Sequence, residues 1–366
     1  MQTASERDFL ARFHIDGALL GGALLICALG LMVLYSASDE SPAVVGRQAL
    51  RMSLGLVLMC LIAQLSPTKL ARLAPGFYVV GTILLVLVAI VGTGRGSQRW
   101  LDIGIIRFQP SEIMKLAVPL TVAWFLNDKL LPPRLPVVLL VLVAIFIPTA
   151  LVAEQPDLGT AILIMVPGLL VLFFSGLGWR WVAAAAAVAC AAAPLGWYAM
   201  HDYQRQRVLT LLDPTTDPLG TGYHIIQSII AVGSGGWTGK GWLNGTQSHL
   251  EFLPERATDF IFAVYCEEFG LLGVLVMLAA YSLLLTRGVQ IALQAQDAFG
   301  RLVAASLSLT FFVYIFVNMG MVTGQLPVVG VPLPLVSFGG TSLVTLMMGF
   351  GILMSIQTHR RFIVDS

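Results

Sequence analysis

Apolar residues in this chain fall into blocks of about twenty separated by short polar breaks, the length a helix needs to cross a hydrocarbon layer. Ten such blocks run near residues 16–37, 49–66, 74–93, 111–127, 134–153, 157–176, 179–199, 258–286, 301–323 and 334–356. Each predicts a spanning helix, so the fold class is an all-α integral membrane protein with about ten transmembrane helices. The rhythm fails once, over residues 200–257, between spans seven and eight. Loops beyond about 15 residues are usually functional or disordered, and this one carries the pattern of an ordered segment. Residues 201–208 read as a short amphipathic helix ending at Asp213-Pro214, and residues 222–228 as a second helical stretch. Glycine-rich tight turns follow at 233–236 and 239–241, with Trp237 and Trp242 as interfacial anchors. With no internal repeat and no low-complexity run, residues 1–366 read as a single polytopic membrane domain carrying one large extracytoplasmic loop.

Composition agrees with the spacing. Hydrophobic residues make up 57% of the chain and charged residues 11%, against about a quarter charged in soluble domains. Mean hydropathy is +0.85. The net charge of +1 gives no electrostatic footprint for a nucleic acid. The first fifteen residues are polar and lack a cleavable-signal pattern, so the first span is expected to direct insertion. Cys27, Cys60, Cys190 and Cys266 lie far apart in apolar blocks without metal-ligand spacing, and are expected to be buried, inert thiols. Most Lys and Arg of the short loops fall on the side of the two termini, which places both termini in the cytoplasm. The long loop and residues 94–110 then lie outside, despite carrying several Arg and Lys themselves.

In a membrane protein the informative residues are polar ones at depth, because each costs energy unless it is paired or solvated. Four clusters stand out, all on the predicted outer side. The first runs from Arg99 through Arg107 to Glu112 and Lys115. Pro110 looks like a helix start, and Glu112 and Lys115, three apart, share a face and can pair; a structural ion pair and a substrate contact are both open readings. The second is the turn holding Gln155 and Asp157, where Asp157 is either a plain helix cap or a group facing the cavity. The third brings Glu251, Glu255 and Asp259 within nine residues at the start of the eighth span. Asp259 is expected in the first helical turn, where the dipole favours an anion. The fourth, from Asn318 to Ser342, is rich in Gly and Pro and includes Ser337. Such non-helical backbone at the membrane edge survives only if packed inside protein or lining a wet cavity. The four clusters together predict a carboxylate-rich cavity opening outward beside lipid, without naming a reaction.

These clusters also carry a resemblance over essentially the whole chain. The matching stretches are Arg107-Phe-Gln-Pro-Ser-Glu112-x2-Lys115, Gln155-Pro-Asp157-Leu-Gly-Thr160, Leu253-Pro-Glu-x3-Asp259-Phe-Ile-Phe and Asn318 to Gly340. In that order and at those spans they resemble the SEDS family of shape, elongation, division and sporulation proteins. Residues 201–207 and 241–248 look like its elongation branch rather than its division branch. One departure is Ala257, where relatives often carry a polar residue; Asp259 is intact.

The resemblance implies a peptidoglycan glycosyltransferase of the cytoplasmic (inner) membrane, serving elongation and rod shape. It would polymerise lipid II into a nascent β-1,4 glycan strand at the outer face. It implies a class B penicillin-binding transpeptidase as partner within the elongation machinery, with membrane lipid around the chain and no nucleic acid. An inverting displacement needs a base for the attacking hydroxyl and positive charge for the leaving diphosphate. The resemblance gives Asp259 the role of base, or of ligand to a divalent cation such as Mg2+ or Mn2+, although no cofactor is required by the residues themselves. Lys115, Arg99 or Arg107 would meet the diphosphate. Glu112, Gln155, Asp157, Glu251 and Ser337 would line or position the cavity. The main rival is a lipid II flippase, which favours paired broken helices in two related halves; one Gly/Pro-broken region, near 320–340, is visible. A protease lacks its motifs, and a plain scaffold leaves the acidic pocket unexplained.

Overall fold

Short-range chemistry sets where the helices begin. In the computed structural model, which describes residues 13–92, 99–102, 107–200, 202–217, 220–249, 253 and 255–359, α1 (Gly17–Ala37) opens where the Asp16 side chain accepts from Leu19 N–H at 3.0 Å. Proline in the first turn starts α2 (Pro42–Ala63), α3 (Pro67–Val91) and α4 (Pro110–Asn127), where its missing N–H leaves nothing unsatisfied. Asp157 caps α6 (Leu158–Phe174) by accepting from Thr160 N–H at 3.2 Å. The remaining elements are α5 (Leu135–Glu154), α7 (Trp179–Ala199), α8 (Asp202–Leu212), α9 (Thr221–Ser234), α10 (Thr246–His249), α11 (Ile261–Gln294), α12 (Ala298–Val322) and α13 (Thr341–Thr358). A two-residue hairpin pairs β1 (Leu101–Asp102) with β2 (Arg107–Phe108) in antiparallel register.

Ten helices, α1 to α7 and α11 to α13, stand at the ten predicted spans. Eight of them are long and apolar enough to cross a membrane. The other two are α6, a shorter apolar helix, and α4, which carries Glu112 and Lys115 in its first turns. Three helix starts differ from expectation by seven residues for physical reasons. Helices α2 and α3 each begin seven residues early, because Pro42 and Pro67 nucleate them ahead of the apolar run. The last span starts at Thr341 rather than 334, because Pro334 to Gly340 adopt non-helical backbone. Asp259 lies in a turn just before α11, not in its first helical turn.

The core is built where α1 to α6 and α11 to α13 pack together. Prolines inside spans leave carbonyls that need other donors: Pro148 cannot bond Ala144 C=O, and Tyr78 Oη donates to that oxygen at 2.7 Å. Cys27 and Cys266 are buried as expected, whereas Cys60 is half-buried and Cys190 faces outward. That outward face belongs to α7, which has no buried residue among those described. A mean apolar run says that a helix belongs in lipid, not that it packs on its neighbours.

Both predicted helices of the long loop form, as α8 and α9. The segment after α9 does something the sequence did not announce. Helix α11 breaks at Gly270 (φ 60°, ψ −161°), and residues 236–241 lie against the break. Lys240 and Gly241 N–H donate to Glu267 and Glu268 C=O at 3.0 Å each. Leu271 and Leu272 N–H donate to Gly236 and Trp237 C=O at 2.9 and 3.0 Å. The loop thus replaces the hydrogen bonds that the broken helix gives up. A second non-helical region, residues 323–340, enters between α12 and α13. Both breaks fall in the second half of the chain.

Candidate active site

Asp259 sits in a turn, residues 255–260, whose backbone is held from outside by three successive carbonyls. Ala257 C=O accepts from Phe338 N–H at 2.8 Å, Thr258 C=O from Ser337 Oγ at 2.6 Å, and Asp259 C=O from Asn318 Nδ2 at 2.9 Å. All three donors come from the last fifty residues. The turn closes on itself through Thr258 and Phe260 N–H to Glu255 C=O, and Thr258 Oγ1 donates to Glu255 Oε2 at 2.9 Å. Arg256 forms an ion pair with Asp39 in the loop between α1 and α2.

The Asp259 carboxylate faces the segment between α12 and α13. Gly330 has φ +74°, and a Cβ there would stand 3.5 Å from Asp259 Oδ2. Glycine is called for by the left-handed backbone, and the 3.5 Å distance shows how closely the carboxylate approaches it. Burial pushes the Asp259 carboxyl up to about 6; the negative charge of Glu255 pushes the same way, and Arg207 on α8 opposes both. His224 on α9 stacks on Phe260, ring centroids 5.9 Å apart. Burial lowers its pKa, while Glu255 and Asp217 work in the opposite direction.

The other predicted residues form two groups around the same segment. Arg99 lies 3.6 Å from Asp157 and donates from Nε to Gln155 C=O at 3.3 Å. Gln109 Nε2 donates to Asp157 Oδ2 at 3.4 Å, and Gln155 Nε2 to Leu85 C=O at 3.2 Å. At Gly159 a Cβ would stand 2.6 Å from Val329 C=O, so the start of α6 is pressed against the segment that faces Asp259. In α4, Lys115 Nζ and Glu112 Oε1 are 2.8 Å apart, with residue exposures of 6% and 5%. The Lys115 ammonium lies 5.5 Å from the Tyr314 ring, and Tyr314 packs on Val331 and Leu163. Residues 329–331 are therefore common to all three groups.

Ser337 is 4% exposed, and its hydroxyl is committed to backbone, accepting from Leu333 N–H at 2.7 Å while donating to Thr258. It is a strut of the wall rather than a group presented to a ligand. Arg107 is placed by its β2 backbone, but its side chain lies outside the described residues, as does the whole of Glu251. Sequence reasoning overlooked Glu267, which is fully buried and accepts from Lys240 Nζ at 2.6 Å, Thr246 Oγ1 at 3.0 Å and Gln247 N–H at 3.0 Å. Glu268, beside it and also buried, accepts from Ser36 Oγ. Two adjacent carboxylates inside an apolar block were the available signal. Arg207 was counted only as loop charge.

An apolar cavity of about 900 Å³ runs between α2, α3, α4 and α13. Its lining is aliphatic and aromatic apart from a few groups that include Arg51, Glu112 and Thr341. The Arg51 guanidinium is 4.7 Å from the ring centroid of Phe338, the residue whose N–H binds Ala257. The cavity and the Asp259 turn are thus linked through two residues in contact, Arg51 on the cavity lining and Phe338 on the turn. The arrangement suits a long apolar chain carrying a polar head, with a weakly acidic carboxyl near the head.

Comparison with known proteins agrees with this geometry. The profile of the cell cycle protein family FtsW/RodA/SpoVE matches residues 17–362. The chain is 54% identical over 364 residues to the peptidoglycan glycosyltransferase MrdB of Escherichia coli K12, covering 99% of this chain and 98% of that one. It is 34% identical to the stage V sporulation protein E of Bacillus subtilis, covering 93% and 96%. Among solved structures, a chain of a peptidoglycan synthase complex, described as coordinating polymerization and crosslinking, superposes with TM-score 0.82 at 34% identity, covering 93% and 97%. The rod shape determining protein RodA of Thermus thermophilus superposes with TM-score 0.69 at 29% identity, covering 93% and 96%.

Proposed function

The chain belongs to the FtsW/RodA/SpoVE family of cell cycle proteins, and from that membership we propose a lipid II-polymerising role for its outer cavity. It is a multi-pass membrane protein and a peptidoglycan glycosyltransferase of the elongation type. The acceptor's GlcNAc 4-hydroxyl attacks the α-linked anomeric carbon of the lipid-carried donor. A β-1,4 oxygen–carbon bond forms as the bond to the diphosphate oxygen breaks, and the electron pair leaves with undecaprenyl diphosphate. The hydroxyl proton passes to the Asp259 carboxylate. The observation that carries this reading is Asp259 itself: a half-buried carboxyl raised to about 6 and aimed at the open backbone of Gly330. A base with that pKa is ionised at neutral pH yet keeps more affinity for a proton than an ordinary aspartate.

The apolar cavity between α2, α3, α4 and α13, about 900 Å³ in volume, would receive part of an isoprenoid tail. Arg99, paired with Asp157, and Lys115, paired with Glu112, carry positive charge in the two groups around residues 329–331, while Arg207, which sequence reasoning had not assigned, is the cation that acts on the Asp259 carboxylate. Among the described residues no three His, Cys, Asp or Glu converge as metal ligands. Mg2+ or Mn2+ commonly needs only one or two carboxylates plus substrate phosphates, and Asp259 with Glu255 would be the pair to hold it, supplying charge neutralisation to the departing diphosphate. The partner in this reading is a crosslinking transpeptidase of the class B penicillin-binding type. Both termini lie in the cytoplasm, so single cysteines at residues 235–245 and 358–366 should label from opposite sides with an impermeant thiol reagent. A transporter reading gains nothing from the fold, since the breaks at Gly270 and 323–340 sit in one half of the chain.

The test is direct. The purified chain, alone and with the transpeptidase, should convert lipid II into glycan strands, and Asp259→Asn should abolish that conversion while inserting normally. Near-normal polymerisation by Asp259→Asn would remove this residue from the mechanism.

A further inference from the structure

Asn318 lies near the end of α12 and is fully buried. Its Nδ2 donates to Asp259 C=O at 2.9 Å and to Val331 C=O at 2.7 Å. Carbonyl oxygens only accept, so the amide nitrogen must face both, and the side-chain orientation is fixed without ambiguity. The cost of that orientation is visible, because Oδ1 is buried with no protein partner. The amide is therefore not placed to satisfy itself. It is placed to join two pieces of backbone.

Those two pieces are the ones that define the candidate site. Asp259 carries the carboxylate, and Val331 follows Gly330, whose backbone that carboxylate faces. Ser337 and Phe338 also grip the turn, but at Thr258 and Ala257. Asn318 alone among these three donors touches Asp259 itself. Tyr314, one helical turn earlier on α12, packs on Val331 and lies over Lys115, so the same helix face reaches the buried ion pair of α4.

We propose that Asn318 is a positioning residue for glycosyl transfer: by tying Asp259 to Val331 it sets the orientation of the Asp259 carboxylate against the backbone of Gly330. The inference rests on the reading of Asp259 as the base and extends it to a residue that touches no reacting atom. Misplacing a catalytic group by about 1 Å can reduce turnover on the order of 100-fold while leaving binding intact.

The experiment uses Asn318→Leu, which keeps bulk and removes both donors, and Asn318→Ser, which is too short to span both carbonyls. Each is purified as the full chain and given lipid II over a range of concentration and pH, with rates expressed per mole of inserted protein. The expected result is a fall of about 100-fold in kcat with KM within about threefold of the parent. Glu255 on the same turn and Arg207 on α8, the charged groups acting on that carboxylate, are unaltered in both variants. A purely structural amide would lower the yield of inserted protein while surviving molecules kept the parent kcat; that result would overturn the proposal. So would failure of both variants to insert, which would make the amide a folding determinant. Asp259→Asn is run alongside. If it is inactive while both Asn318 variants behave as the parent, only this inference falls; if it is active, the reading of the base falls with it.

Discussion

Two carboxylates at the same end of the bundle are held in opposite ways. Glu112, in the first turn of α4, meets the Lys115 ammonium at 2.8 Å, and both residues are buried. Asp259 sits in a turn outside any helix, where burial and Glu255 raise its pKa and only Arg207 opposes them. A carboxylate held by a lysine at contact distance on the same helix face becomes part of the structure. A carboxylate pushed up towards neutrality keeps a proton affinity that chemistry can use. The contrast lies in the backbone. A helical face brings residues three apart together automatically, whereas the Asp259 turn must be gripped by donors from distant parts of the chain.

This contrast makes opposite stability effects the sharpest test. Glu112→Gln leaves Lys115 buried beside Tyr314 without its counter-charge, and should destabilise the protein by about 3–5 kcal/mol, measured by reversible unfolding in detergent. Exchanging the two charges, with Glu112→Lys and Lys115→Glu, should restore most of that stability. It should not restore polymerisation if each residue has its own substrate contact. Full recovery of activity would reduce the pair to a structural element.

Asp259→Asn should shift stability the other way. The folded-state pKa of Asp259 is raised above the usual 3.8 to about 6, so the native state binds this proton more tightly than the unfolded state. The stability it contributes is present below the ordinary carboxylate range and is lost as pH rises to about 6. At pH 7.5 the variant should therefore be more stable than the parent, on the order of 1–3 kcal/mol, while inactive. A destabilised Asp259→Asn protein would show that the carboxylate is structural after all.

The rate should follow the same group. Initial rates of polymerisation should be half-maximal near pH 6 and level above it, and Glu255→Gln should move that midpoint to lower pH by removing a like charge. An unchanged midpoint in Glu255→Gln would break the electrostatic account of Asp259. A smaller effect on the buried pair than loss of Glu112 is expected at Tyr314→Phe, which keeps the ring over Lys115 and removes the hydroxyl that bonds its ammonium. It should destabilise the protein by about 1.5 kcal/mol in the same unfolding measurement.

Much of the scaffold was legible because the signals are local. Ten apolar blocks became ten helices, and the Pro and Asp residues at their starts sit where capping chemistry puts them. The Glu112–Lys115 contact followed from a spacing of three on one helix. The Asp259 turn was located to within a few residues, although its dipole stabilisation was misjudged because α11 starts only at Ile261. Ser337 was legible as part of a non-helical wall, but its commitment to Leu333 and Thr258 was not.

What the sequence determined by itself was the class of molecule and the residues that carry chemistry, since hydropathy, capping and helical spacing depend on neighbours within a turn or two. What only the tertiary structure decided was how those residues are used. The break at Gly270 exists because residues 236–241 supply replacement hydrogen bonds, and no pattern within α11 encodes the loop that docks there. The burial of Glu267 depends on Lys240, Thr246 and Gln247 arriving from the same loop. The grip on Asp259 joins residues 59 positions apart. A hydrogen bond requires donor and acceptor within about 3 Å, and distances of that kind between remote segments are set by packing, not by the order of residues along the chain.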